Sequence, residues 1–104
     1  MRFRYVDWLM LRDVKRRKLT AEYAQERMRY KALINNNILP EDLRESADMD
    51  MRKLPRDSLR WRIVDRCVIT SRARGNVPRW RMSRFIFRHN ADYNKLSGVT
   101  KAKW

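Results

Sequence analysis

The sequence predicts a mainly α-helical chain: a long N-terminal helix, a short middle helix, and a small compact C-terminal body with an irregular Arg-rich loop, a short helix and an extended tail. Three observations predict it. No Gly or Pro interrupts the first 39 residues, and the whole 104-residue chain holds two glycines and three prolines. Leu, Ile, Val and Phe together number 23, barely above the roughly one-fifth share below which chains tend toward disorder. Lys and Arg number 26 against 12 Asp and Glu, a net charge of +14, and a compact chain tolerates that only alongside something that neutralises it. The fold is therefore expected to depend on a polyanion.

Asp7 suits an N-cap, because its short side chain can accept from the open amides of a first turn. From there Leu11, Val14, Ala21, Ala24, Met28 and Ala32 recur at mostly helical intervals, giving one long helix bent near Thr20. Asn35, Asn36 and Asn37 end it, since Asn tolerates the left-handed backbone that closes helices. The apolar stripe is thin and ringed by basic residues, so the helix is expected to extend from a small body. Pro40, Glu41 and Asp42 open a short second helix, with acids at the positive end of its dipole, and it stops before Pro55. The stretch from Ser58 to Asp65 is short and mixed. Gly75 and Pro78 make residues 66 to 81 irregular or turning. Ser83 caps a last helix over about residues 84 to 92, on which Phe85 and His89 share one face and Arg84 and Arg88 another. Trp80, Met82, Phe85 and Ile86 are expected to form the small core, and the tail from Tyr93 to Trp104 to be extended.

Charge divides the chain into a basic helical arm (residues 1–39, net +6), an acidic helical linker (40–59, net −2) and an Arg-rich C-terminal module (60–104, net +10). Of the basic residues 19 are Arg, whose planar guanidinium grips phosphate in two places and stacks on bases, so nucleic acid is favoured over a membrane surface. No run of about 18 apolar residues occurs, and no secretory signal opens the chain, so a soluble, unsecreted protein with no membrane partner is expected. Cys67 and His89 are the sole Cys and His, too few for a structural zinc, so neither metal nor cofactor is expected.

The basic run Lys15, Arg16, Arg17, Lys18 spreads charge around a whole helix, which suits insertion between RNA backbones. The second basic region is Arg66, Arg72, Arg74, Arg79, Arg81, Arg84 and Arg88, interleaved with Trp80, Phe85 and Phe87. There Gly75, lacking a side chain, lets the backbone approach a ribose-phosphate closely. Catalysis finds little support: the acids cluster in residues 41–57, away from His89 and Cys67, and no phosphate-cradling Gly loop or paired-His motif occurs. His89 reads as a surface or packing residue and Cys67 as a small buried hydrophobe.

The segment Arg66, Cys67, Thr70, Ser71, Arg72, Ala73, Arg74, Gly75, then Arg79, Trp80, Arg81, Met82, Ser83, Arg84 resembles the signature of the small-subunit ribosomal protein family numbered fourteen in bacteria. Leu54, Pro55, Arg56, Asp57, Ser58 is similar to that family's linker, Asp13, Val14, Lys15, Arg16 to its N-terminal helix, and Gly98, Val99, Thr100, Lys101, Ala102, Lys103, Trp104 to its closing segment. Tyr5, Val6, Asp7, Trp8 and Thr70, Ser71, Arg72 look like the mitochondrial branch. Trp80, Met82, Pro78 and Lys103 depart from the bacterial pattern. With Cys67 alone, the chain resembles the zinc-free form of the family. The resemblance implies a fold completed by rRNA and a structural constituent of the mitochondrial small ribosomal subunit that supports translation. It implies binding to rRNA of the head, the 3′ major domain, near the decoding region, among neighbouring head proteins. No enzymatic activity and no small-molecule substrate follow from it. It adds Arg56, Ser83, Lys101 and Trp104 to the RNA-binding residues. Two rival readings are a basic DNA-binding or nuclear protein using residues 12–18, and a small RNA-processing enzyme with His89 as its base.

Overall fold

The computed structural model describes residues 7–104; Tyr5 and Val6 of the mitochondrial-branch motif lie outside them. The chain is mainly helical. It comprises α1 (Trp8–Glu22), α2 (Ala24–Ile34) and α3 (Glu41–Lys53), two single 3₁₀ turns at Arg56–Ser58 and Arg60–Arg62, strands β1 (Asn76–Val77) and β2 (Met82–Ser83), and α4 (Arg84–Asp92). These form two compact units, residues 12–63, and residues 64–104 together with residues 7–11.

At the start of α1, Asp7 Oδ1 accepts from the amides of Leu9 and Met10, at 2.5 and 3.2 Å, as an N-cap should. The single N-terminal helix expected from the sequence is two. Thr20 Oγ1 donates to the Arg16 carbonyl at 2.7 Å, a back-bond that bends helices, and the break falls at Tyr23 (φ −92°, ψ 7°). Helical hydrogen bonds still cross it, from the Tyr23 amide to the Leu19 carbonyl and from the Arg27 amide to the Tyr23 carbonyl, both at 3.0 Å.

The face these helices cover in the unit of residues 12–63 is not the apolar stripe. Of the expected stripe Val14 is half-buried, but Ala21, Ala24, Met28 and Ala32 are exposed, while Asp13, Arg16, Thr20, Tyr23, Arg27, Tyr30 and Ile34 are buried or half-buried at the same three- and four-residue spacing. Polar bonds explain the inversion. Arg27 Nε donates to Ser58 Oγ at 2.7 Å, and Ser58 Oγ donates in turn to the Pro55 carbonyl. Arg16 pairs with Asp57 at 3.6 Å, and Arg62 reaches the same carboxylate oxygen at 2.6 Å. The Asn run ends α2 by a different device from the one expected. Asn35 stays right-handed (φ −82°, ψ −3°), and Asn36 Oδ1 accepts from the Ile38 amide at 3.0 Å, turning the chain toward Pro40. Arg44 Nε then donates to the Ile34 carbonyl at 3.0 Å, tying α3 to the end of α2. Leu54, preceding Pro55, is forced extended (φ −65°, ψ 152°), which stops α3.

In the other unit the segment expected to be irregular carries a two-residue antiparallel hairpin, with Asn76 opposite Ser83 and Val77 opposite Met82. Ser83 accepts from the Ile86 amide and caps α4 as its sequence position predicts. The tail is not extended from Tyr93. Asn94 takes a left-handed turn (φ 60°), and the Lys95 amide donates to the Asn90 carbonyl at 2.9 Å, closing α4; a second turn follows at Ser97 and Gly98. Little apolar material is enclosed. Among the described residues the buried hydrophobics are Ala47, Cys67 and Met82, beside buried Asp13, Ser58, Ser71 and Ser83. Of the expected core, Met82 is buried, Trp80 and Ile86 are half-buried, and Phe85 is 53 % exposed.

Candidate nucleic-acid interface

The arginine-rich surface is built on a backbone knot around Cys67. The Ser71 amide donates to the Cys67 carbonyl at 2.8 Å and the Cys67 amide to the Arg72 carbonyl at 3.0 Å, with Ser71 left-handed (φ 62°). The Val68 amide donates to the Arg81 carbonyl at 3.0 Å, which joins this knot to the hairpin. Asn76 fastens it further, its Nδ2 donating to the Asp65 carbonyl at 2.6 Å and the Arg72 carbonyl at 2.8 Å. Burial raises the Cys67 thiol pKa. Hydrogen bonds from the Thr70 side chain and from the Thr70, Ser83 and Ile69 backbone outweigh it and bring the pKa down to about 7.

Gly75 sits where the knot meets α4. Its φ is +65°, and a Cβ there would lie 3.4 Å from both Cδ and Nε of Arg84, so its lack of a side chain serves the passage of Arg84 over the backbone. The Arg84 amide also donates to the Gly75 carbonyl at 2.8 Å. Arg84 and Arg72 then place their guanidinium carbons 4.8 Å from the centroid of the same Phe85 ring. Each such contact at an exposed ring contributes about 0.5–1 kcal/mol. Arg72 Nε additionally donates to the Arg74 carbonyl at 3.0 Å. Phe85 thus holds two cations against one ring, and the apolar face of α4 turns inward through Ile86 and Phe87 instead. Arg79 lies 5.1 Å above Trp80, whose ring packs on Phe87 at 4.7 Å.

The remaining residues divide clearly. Arg66 is half-buried and donates from Nε to Ser71 Oγ at 3.1 Å. Arg74, Arg81, Lys101 and Trp104 are exposed, and Arg88 is exposed with a 3.9 Å ion pair to Asp92. Ser83 is buried as the cap of α4, so its part is to aim Arg84 and Arg88. Lys15, Arg16, Arg17, Lys18 and Arg56 belong to the unit of residues 12–63. There Lys15, Lys18 and Arg56 are exposed, Arg17 pairs with Asp13 at 2.7 Å, and Arg16 is turned inward to Asp57. Phe85 as a cation platform and Asn76 as a fastener escaped the sequence reading. The adjacency of Arg84 and Phe85 was the one available signal.

This surface presents guanidinium groups, already desolvated on one side by aromatic rings, to any phosphate backbone that approaches. His89 is exposed and stacks on Tyr93 at 4.6 Å. Among the described residues no three His, Cys, Asp or Glu side chains converge as metal ligands, and no helix is long and apolar enough to cross a membrane.

Comparison with known proteins gives a consistent picture. The family model described as ribosomal protein S14p/S29e matches residues 50–103. The chain is 58 % identical over 100 residues to the mouse small ribosomal subunit protein uS14m, covering 96 % of this chain and 78 % of the mouse protein. It is 41 % identical to the Caenorhabditis elegans protein of the same name, of which it spans half the length. With the Marchantia polymorpha protein it shares 39 % identity over 95 residues, covering 91 % of this chain and 96 % of that one.

Proposed function

The chain belongs to the ribosomal protein S14p/S29e family, in its mitochondrial branch, and from that premise we propose that its arginine surface binds rRNA of the small-subunit head, the 3′ major domain, near the decoding region. It is a structural constituent of the mitochondrial small ribosomal subunit and not an enzyme. The observation that carries the finer reading is the pair Arg72 and Arg84 held over Phe85, within the stretch the family model matches. Two exposed guanidinium groups held by one ring are pre-positioned donors and charges for an anionic backbone. In the unit of residues 64–104 the RNA contacts are Arg66, Arg72, Arg74, Arg79, Arg81, Arg84 and Arg88, with Lys101 and Trp104 in the tail; in the unit of residues 12–63 Lys15, Arg17, Lys18 and Arg56 offer contacts of their own. Neighbouring head proteins complete its surroundings.

Zinc has no part in this reading. A structural zinc asks for four Cys or His ligands, whereas Cys67 Sγ instead accepts from the Thr70 amide at 3.4 Å. No side-chain set that would replace the missing ligands converges there among the described residues.

The test is ultraviolet crosslinking of the tagged chain in cells, followed by gradient separation of ribosomal particles and sequencing of the attached RNA. The expected result is co-sedimentation with the small subunit and crosslinks confined to its 3′ major domain. Crosslinks to another domain of the rRNA, or recovery with nuclear chromatin, refute the reading.

A further inference from the structure

α3 runs against the charge of the rest of the molecule. It carries Glu41, Asp42, Glu45, Asp48 and Asp50. Asp48 and Asp50 pair along the helix with Arg52 at 2.6 Å and Lys53 at 2.8 Å, whereas Glu41, Asp42 and Glu45 are exposed and make no ion pair among the described residues. Free carboxylates repel an RNA backbone, so this face is unsuited to the partner that the arginines suit.

The same helix also leaves apolar surface uncovered. A groove of about 240 Å³ between α2 and α3 is lined by Tyr30, Leu33, Leu39, Leu43 and Ala47, with Ser46 and Asp50 at its edge, and Leu33 and Leu43 stand 45 % and 57 % exposed at it. On the opposite flank of α3 a hollow of about 410 Å³ is lined by Glu41, Glu45 and Asp48, by Arg44 and Arg52, and by Ile34 and Met49. Arg52 is paired with Asp48 and Arg44 Nε is bound to the Ile34 carbonyl, which leaves Glu41 and Glu45 as its carboxylates without an ion pair among the described residues, and Met49 is 65 % exposed on the ridge between. Leu33 and Leu43 lie on one side of the helix and Glu41 and Glu45 on the other. A chain crossing α3 meets both, and a helix about 10 Å across is spanned by about three residues of extended backbone.

We propose that the α2–α3 hairpin docks a basic segment of a neighbouring protein of the small subunit. That segment places an apolar side chain between Leu33 and Leu43, and a Lys or Arg about three residues away against Glu41 and Glu45. The proposal rests on the reading that the chain sits in the small subunit among protein neighbours. It assigns the protein-facing surface and its charge, as the arginine surface is assigned to RNA. Complementary charge selects the partner and excludes phosphate, while the buried Leu contacts supply the adhesion.

The experiment places a photoreactive benzoylphenylalanine at Leu43 or at Glu45 in the tagged full-length chain expressed in cells, irradiates, purifies small subunits on gradients and identifies adducts by mass spectrometry. Expected are adducts from both positions to one peptide of net positive charge in one small-subunit protein. The double variant Glu41→Lys, Glu45→Lys lowers the Leu43 adduct, normalised to incorporated chain, at least about tenfold, since like charges then meet across the contact. Adducts to rRNA or to an acidic peptide in purified subunits, or none at either position, overturn this proposal alone. Absence of the chain from the small-subunit fraction refutes the reading on which it rests.

Discussion

Replacing Phe85 by Ala separates positioning from charge. The ring holds Arg72 and Arg84, each 4.8 Å from its centroid, and at about 0.5–1 kcal/mol per cation its removal frees about 1–2 kcal/mol of pre-organisation. Neither arginine is lost, so the number of neutralised phosphates is unchanged. Affinity for small-subunit rRNA should fall roughly five- to thirtyfold, while the slope of log affinity against log salt stays as in the parent chain. The double variant Arg72→Gln, Arg84→Gln removes the contacts themselves and should lower that slope by about one and a half units. Equilibrium binding across a series of potassium chloride concentrations measures both quantities. Unchanged affinity in Phe85→Ala would show that the ring orders nothing. A slope reduced as far as in the Gln pair would show that the ring is needed for contact and not for aim. Either result refutes the reasoning.

Replacing Arg72, Arg74, Arg84 and Arg88 together by Gln should block incorporation into the small subunit, whereas the same change at Arg29, Lys31, Arg52 and Lys53 should be tolerated; equal assembly by gradient analysis would mean that bulk charge decides. Gly75→Ala is strained by its left-handed backbone (φ +65°), at about 1–2 kcal/mol, so it should weaken rRNA binding with the salt slope intact, and parent-like affinity would contradict the tight packing under Arg84. The Cys67 pKa, lowered from 9.0 to about 7, means that between those values the unfolded chain holds a proton the folded chain has released. Stability of the RNA-bound fold should therefore rise with pH across that window and fall as pH drops through about 7; amide exchange in the complex reads it, and Cys67→Ser, whose hydroxyl does not titrate there, should flatten the profile. Without RNA the chain should show no sharp thermal transition in low salt, because its interior holds too little apolar surface to offset backbone ordering at about 1–2 kcal/mol per residue; a cooperative melt with well-dispersed amide signals would contradict this.

Where local chemistry decides, the sequence was legible. Asp7, Ser83 and Pro55 act on amides or dihedrals within three residues, and each marks the helix boundary its chemistry demands. The covered face of α1 and α2 was not legible from apolar spacing, because Arg27 and Arg16 bury their stems through bonds to Ser58 and Asp57, far along the chain. The hairpin escaped for a related reason. Two-residue strands have no alternation to read, and Asn76 fixes this pair through carbonyls eleven and four residues back. The arginine cluster was visible as composition and as a family signature. Its geometry depends on Phe85 facing outward, which a pattern that places aromatic residues inside inverts.

An interior of serine, cysteine and aspartate has a consequence for how much of this protein a cell contains. Ser58, Ser71 and Ser83 are enclosed by hydrogen bonds rather than by greasy contact, so a copy without its nucleic-acid partner keeps an open, protease-accessible chain. Persistence should then follow occupancy, with copies seated in a particle protected and surplus copies degraded. Turnover of the unbound chain should by itself bring the abundance of the protein toward that of the particle.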